Sequence, residues 1–217
     1  MRLVRVLVAG GVVTGAIAAP TLLAAGTAEA AGCGGAIPAG TSCTITGTVT
    51  LTAGSLALTS PSTLSWAAAL NGLDQSLVDG TASDQKYTVN DATGSGAGWH
   101  VTTSATQFVN GTKTFNNIGT LSTNGSPTSA TATTAPSATC TGTCTLPTNT
   151  STYPIAITTA AVTPTPVTIY DTALGTGLGQ VVIGNAPNPV GWWVNVPASA
   201  SAGNYTSTIT MQIIAAP

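Results

Sequence analysis

Threonine alternates with larger apolar residues along much of this chain. The clearest run is Thr44-Ile45-Thr46-Gly47-Thr48-Val49-Thr50-Leu51. A period of two sends successive side chains to opposite faces, so the run predicts a strand. Leu56 and Leu58 repeat the pattern briefly, and Pro61 ends it. Residues Thr63 to Leu70 restart it, with Leu64 and Trp66 on one face. Asn71 to Asp84 is rich in turn formers. Tyr87 and Val89 then alternate with polar neighbours, and Gly94, Gly96 and Gly98 follow within five residues. Glycine tolerates positive φ, so this predicts strand, tight turn, strand. Trp99, Val101 and Thr103 open the second strand, which extends toward Phe108, with His100 and Thr102 on the opposite face.

Asn110-Gly111 marks a turn, and Thr112 to Phe115 a short strand. From 119 to 152 only Leu121 and Leu146 are large and apolar. Such a stretch buries little surface, so it reads as a long polar loop or as polar edge strands. Strands resume at Tyr153 to Thr159, Val167 to Tyr170, Val181 to Ile183, Val190 to Pro197 and Asn204 to Ile214. Many short strands separated by turns, with no amphipathic helix and no internal repeat, predict an all-β antiparallel sandwich.

The first thirty residues have a different character. Arg2 and Arg5 precede an apolar stretch from Leu7 to Ala25, and Ala28-Glu29-Ala30 fits a cleavage site. This predicts a cleaved secretory signal peptide over 1–30 rather than an anchor, and one domain over 31–217 with no membrane span. The remaining domain keeps two lysines against five aspartates, a net charge of −3. So few cations neutralise few phosphates, which argues against nucleic acid as a partner. Four cysteines in an exported chain predict two disulfides. Three pairings are possible, and the local ones, Cys33–Cys43 and Cys140–Cys144, are expected. Zinc is disfavoured because the single histidine lies far away in sequence.

The glycine turn also carries a family resemblance. Asp91, Gly94, Gly96, Gly98 and then Trp99-His100-Val101 resemble the proximal Trp-x-Leu motif of WxL-domain proteins, which are surface proteins of Gram-positive bacteria. The distal motif of that family is matched by Tyr205, Ile209-Thr210 and Met211-Gln212-Ile213, with Met211 in place of tryptophan and Ile213 in place of leucine. Leu64-Ser65-Trp66 and Asp84-Gln85-Lys86-Tyr87 fit as well. The resemblance covers residues 63–103 and 190–217 and marks a divergent member. It implies an immunoglobulin-like sandwich at the cell surface, associated non-covalently with the wall through peptidoglycan, or with other surface proteins.

Candidate chemistry is sparse. Trp66 and Trp99 are expected in the core. Trp192 and Trp193 are adjacent, so a regular strand points one of them outward unless a loop covers it. That makes the pair the expected surface contact. Ile209, Met211 and Ile213 share a face, so Met211 is expected to pack, because methionine fills irregular gaps. Asp74, Asp79, Asp84 and Asp91 do not have EF-hand spacing, and aspartates in turns usually cap backbone amides. Asp91 is expected to form an Asx turn. His100 has no nucleophile or orienting partner in a recognisable motif, so no catalytic residue, metal or cofactor is assigned. Asparagine sequons at Asn110, Asn124, Asn149 and Asn204 arise by chance in a chain this rich in hydroxyls. Two other classes remain beside wall binding. One is a structural subunit of a surface layer or fibre. The other is an extracellular enzyme that uses aspartates or calcium.

Overall fold

The computed structural model describes residues 35–37, 39–40, 42–115 and 120–215. The expected signal peptide lies outside them, as does Cys33; Cys43 itself is disulfide-bonded. The chain falls into two units, 1–50 and 51–217, and the fourteen strands found among the described residues belong to the second.

Three four-stranded sheets and one hairpin build that unit, an all-β sandwich. The first sheet joins β1 (Leu56–Thr59), β3 (Tyr87–Asp91), β12 (Gly179–Ile183) and β8 (Ala138–Cys140) in that order, all antiparallel. The second is centred on β4 (Trp99–Thr106). On one side β4 pairs antiparallel with β14 (Ile209–Ala215). Its other partners are β11 (Val167–Asp171), antiparallel, and the short β10 (Thr159–Ala160), parallel. The third sheet runs β2 (Gln75–Val78), β13 (Gly191–Val196), β7 (Leu121–Asn124), β9 (Ile155–Ile157). A hairpin of β5 (Val109–Asn110) and β6 (Lys113–Thr114) completes the set. The core between these sheets includes Val89, Trp99, Val101, Leu121, Val181 and Trp192, all fully buried.

The glycine turn forms as expected. Gly94, Gly96 and Gly98 all have positive φ. At Gly98 a side chain would also meet the Thr172 carbonyl at 3.0 Å, so both conformation and space demand glycine there. Asp91 makes the Asx turn, accepting from the Thr93 amide at 3.0 Å.

Three expectations need correction. No strand forms over 42–53, although Thr44 to Leu51 has the strand period; Ile45, Val49 and Leu51 stay exposed. Residues 63–70 are not a strand either. Leu64 and Trp66 do keep to one half-buried side, because Asp79 and the Trp192 carbonyl hold the segment from outside the ladder. The stretch read as a polar loop from 119 to 152 contains β7, an interior strand with Thr123 and Asn124 buried. Ladder hydrogen bonds come from the backbone, so a strand between two others does not require large side chains.

Cys140 and Cys144 are bonded, as expected, with their Cα atoms 5.5 Å apart. The bond closes a five-residue turn at the end of edge strand β8. Short loops restrain the unfolded chain least, so replacing both cysteines with serine costs about 2 kcal/mol. For a domain of this size that lowers the midpoint of thermal unfolding by about 6 °C. An unchanged midpoint by calorimetry would show that the turn is held by its flanking backbone bonds, Thr141 to Gln180 and Thr145 to Leu178, alone.

Candidate aromatic cleft

The tryptophan pair was the expected contact, and the structure removes it. Trp192 is fully buried and Trp193 is 6% exposed. Trp192 points into the core and donates from Nε1 to the Asp84 carbonyl at 3.0 Å. Trp193 points the other way, as alternation requires, but the turn after β7 covers it. Its Nε1 donates to the Ser126 carbonyl at 3.0 Å and lies 3.2 Å from Asn124 Oδ1. Asn124 shapes that turn through Nδ2 to the carbonyls of Ser129 and Ala130 and Oδ1 to the Ser126 amide. The residues read as a polar loop are therefore the lid over Trp193.

The opening lies elsewhere. Trp66, Phe108, Phe115 and Tyr205 form an aromatic chain. Trp66 meets Phe108 edge-on at 5.7 Å, Phe108 lies 5.9 Å from Phe115, and Phe115 stacks on Tyr205 at 4.3 Å. Such contacts add about 0.5–1.5 kcal/mol each beyond burial. Two cavities meet along this chain. The first, of about 360 Å³, is lined by all four rings together with Leu70, Leu77 and small residues at 68–69 and 200–203. The second, of about 460 Å³, runs under residues 60–66 and along β14 to Ile209 and Met211. Trp66, Phe108, Asn204 and Tyr205 line both.

Local hydrogen bonds set this wall. Trp66 Nε1 donates to the Trp192 carbonyl at 2.9 Å. Ser65, beside it, donates its amide to Asp79 Oδ2 at 2.6 Å. Tyr205 Oη donates to the Ser201 carbonyl at 3.1 Å, closing the far end. The first cavity is mainly apolar, whereas the second is about half polar, with Ser60, Ser62, Thr63, Thr206 and Ser207 in its wall; together they suit a neutral, partly apolar ligand.

The motif strands meet beside the cleft. Val101 faces Ile213 and Thr103 faces Met211 across the β4–β14 ladder. Trp99 is fully buried, donates from Nε1 to the Gly177 carbonyl at 3.0 Å and stacks on Tyr170 at 5.7 Å. Met211 and Ile213 are half-buried and pack against the core, as their alternation predicts. His100 is half-buried on the opposite face of β4.

The aspartates do not converge. Asp74 accepts from the Ala198 amide, Asp79 from Ser65 and Thr81, Asp91 from Thr93, and Asp84 contacts Ser83. Among the described residues no three His, Cys, Asp or Glu side chains are grouped to hold a metal ion, and no helix is long and apolar enough to cross a membrane. Three tyrosines sit together in the core. Burial pushes Tyr153 up to about 12 and raises Tyr170 further, with Tyr153 adding to the latter. Tyr87 is raised well above its usual value, first by burial and then by its two tyrosine neighbours.

Sequence reasoning missed Phe108, Phe115 and Leu70 as cleft residues. The motif match had singled out Tyr205, but nothing local tells a lining aromatic from a core one. Comparison with known proteins adds no identity: no family model, no curated protein and no solved structure matches this chain.

Proposed function

We propose that this is an exported, non-enzymatic cell-surface protein that binds the Gram-positive cell wall non-covalently, taking peptidoglycan glycan in the aromatic cleft. The observation that carries this reading is the position of the cleft: Met211, in the distal WxL-like motif, lines one cavity, and Trp66 and Tyr205 line both. Sugar rings have apolar faces that stack on aromatic rings and hydroxyl edges that need hydrogen bonds. The small residues at 200–203 leave room for a ring, and Ser201 and Asn204 supply polar groups. The buried Trp192 and Trp193 play no part in contact.

Co-sedimentation of residues 31–217 with purified Gram-positive walls tests the reading, with a spin lacking walls to correct for self-association. The wild type is expected to pellet with walls. Tyr205→Ala is expected to weaken binding about tenfold, as for a central aromatic contact. Leu70→Asp should do likewise; Leu70 is 45% exposed, so its replacement leaves the core alone. Failure of the wild type to pellet above an albumin control would sink the proposal.

A further inference from the structure

We infer that Asn71-Gly72 is a self-modifying site: in the folded protein it deamidates through a cyclic imide and places a carboxylate at the rim of the aromatic cleft. The inference does not depend on wall binding. The chain has three Asn-Gly pairs, at Asn71, Asn110 and Asn124. Glycine leaves the backbone beside its amide nitrogen unshielded and free to turn, so the three pairs share the same intrinsic chemistry. The fold treats them differently.

The reaction is internal. The Gly72 nitrogen, its proton lost to water or hydroxide, attacks Asn71 Cγ. An N–Cγ bond forms, the Cγ–Nδ2 bond breaks, and Nδ2 takes up a proton and leaves as ammonia. Water then opens the imide. Cleavage at Cγ gives aspartate, and cleavage at the backbone carbonyl carbon gives isoaspartate. The balance is ammonia lost and water gained, with nothing oxidised or reduced.

Three features of residues 71–73 favour it. Asn71 Oδ1 accepts from the Leu73 amide at 2.9 Å. That donor is aimed at the oxygen on which negative charge develops when Cγ is attacked. Among the described residues no hydrogen bond engages the Gly72 amide or Asn71 Nδ2, so the nucleophile and the leaving group are both at liberty. Asn71 and Gly72 are exposed and outside any strand, and Gly72 has positive φ with open space around it. The backbone can therefore turn to bring the nitrogen to Cγ.

Asn124 has the same polarised carbonyl, its Oδ1 accepting from the Ser126 amide at 2.9 Å. Everything else there opposes the reaction. Nδ2 is held by the carbonyls of Ser129 and Ala130, and the Gly125 amide is bonded to the Thr134 carbonyl at 2.7 Å. Asn124 is also fully buried. Asn110 lies between these extremes: it is half-buried, paired with Lys113 in the hairpin, and its Nδ2 packs against Gly203.

Position gives the reaction its consequence. Ala69 and Leu70, just before Asn71, line the first cavity, and the Ala69 carbonyl accepts from Gln75 Nε2 at 3.2 Å. Among the described residues no charged side chain lines either cavity. Conversion of Asn71 adds a negative charge beside a neutral cleft, and isoaspartate also lengthens the backbone next to Leu70 by a methylene.

Peptide mass mapping of the purified chain, kept folded at mildly alkaline pH and sampled over time, tests this. Each converted asparagine gains the mass that separates a hydroxyl from an amino group. Asn71 is expected to convert first, and Asn124 at least about a hundredfold more slowly, because its site must open before it can react. Asn110 should fall between them. In urea the three are expected to convert at similar rates, since the dipeptide is the same. Asn71→Gln is expected to lose the early conversion, because glutamine must close a larger ring, and to leave the rates at Asn110 and Asn124 unchanged. A folded chain in which Asn71 converts no faster than Asn124 overturns the inference. So does an early mass gain that persists in Asn71→Gln. The same ratio of rates in the folded chain and in urea also overturns it, because the fold would then play no part.

Discussion

Asp79→Asn lowers the stability of this domain by about 3 kcal/mol, and Asp79→Ala by a similar amount. Asp79 is fully buried at the end of β2. Its Oδ2 accepts from the Ser65 amide at 2.6 Å and its Oδ1 from the Thr81 amide at 2.8 Å. Its backbone is tied in as well, its amide donating to Trp192 and its carbonyl accepting from Gln85 Nε2. A carboxylate out of water is costly unless such donors surround it. Hydrogen bonds to a charged group contribute about 1.5–3 kcal/mol each. Asparagine keeps the shape but offers two acceptor lone pairs on one oxygen and an NH₂ on the other side. One backbone N–H then faces a donor, and that bond is lost together with the charge assistance of the second.

The loss propagates to the cleft. Ser65 precedes Trp66, and residues 60–66 form a wall of the larger cavity without belonging to a sheet. Nothing in a ladder replaces the Asp79 contact. Thermal unfolding of the variant is expected about 10 °C lower. Asp84→Asn is the control. That side chain has one bond, from Ser83 Oγ, and the Trp192 indole uses the Asp84 backbone carbonyl instead. It should cost less than about 1 kcal/mol. Equal losses at the two positions would refute the role assigned to Asp79.

The second large effect is alkaline. Tyr87, Tyr153 and Tyr170 have folded pKa values raised above the ordinary tyrosine value, chiefly by burial. Below about pH 10 both folded and unfolded chains keep these phenols protonated, and their contribution is fully present. Above it the unfolded chain loses protons that the folded chain retains. Unfolding then releases protons, and stability falls as pH rises. Each tyrosine contributes a slope approaching about 1.4 kcal/mol per pH unit, so three together approach about 4. Tyr153 stops contributing once pH passes its folded value of about 12. By then it alone has removed about 3 kcal/mol.

Urea midpoints followed by tryptophan fluorescence should be flat from about pH 7 to pH 9 and collapse above about pH 10. Tyrosinate absorbance should rise in the same step as unfolding, not before it. Early absorbance from three tyrosines without unfolding would disprove their burial; the fourth, Tyr205, is half-buried and its signal must be subtracted. Tyr153 also donates to the Ile169 carbonyl at 2.7 Å. Tyr153→Phe therefore lowers stability at neutral pH while making its alkaline decline shallower.

How much of this was legible in the sequence depends on the range of the interaction. Local rules held where the deciding contacts are local. The glycine turn follows from the positive φ at Gly98, and the Asx turn from the two-residue reach of Asp91 to Thr93. The Cys140–Cys144 bond spans four positions. The shared face of Ile209, Met211 and Ile213 follows from the strand period alone. All-β architecture is also in the sequence, because threonine alternation and frequent turns recur from end to end.

What the period cannot state is which strand lies beside which, and what covers the outer face. Trp193 is buried because Ser126 and Asn124 reach it across 67 and 69 positions. Residues 63–66 stay out of a sheet because Trp66 bonds Trp192 across 126 positions and Ser65 bonds Asp79. The polar stretch at 121–124 became an interior strand because β13 and β9 supply backbone partners on both sides. The cleft exists only where Trp66, Phe108 and Tyr205, distant in sequence, come together. Alternation by itself determined the faces these residues present. Non-local hydrogen bonding and packing decided which faces are covered, and in Ile45–Leu51 they left a strand pattern without a sheet.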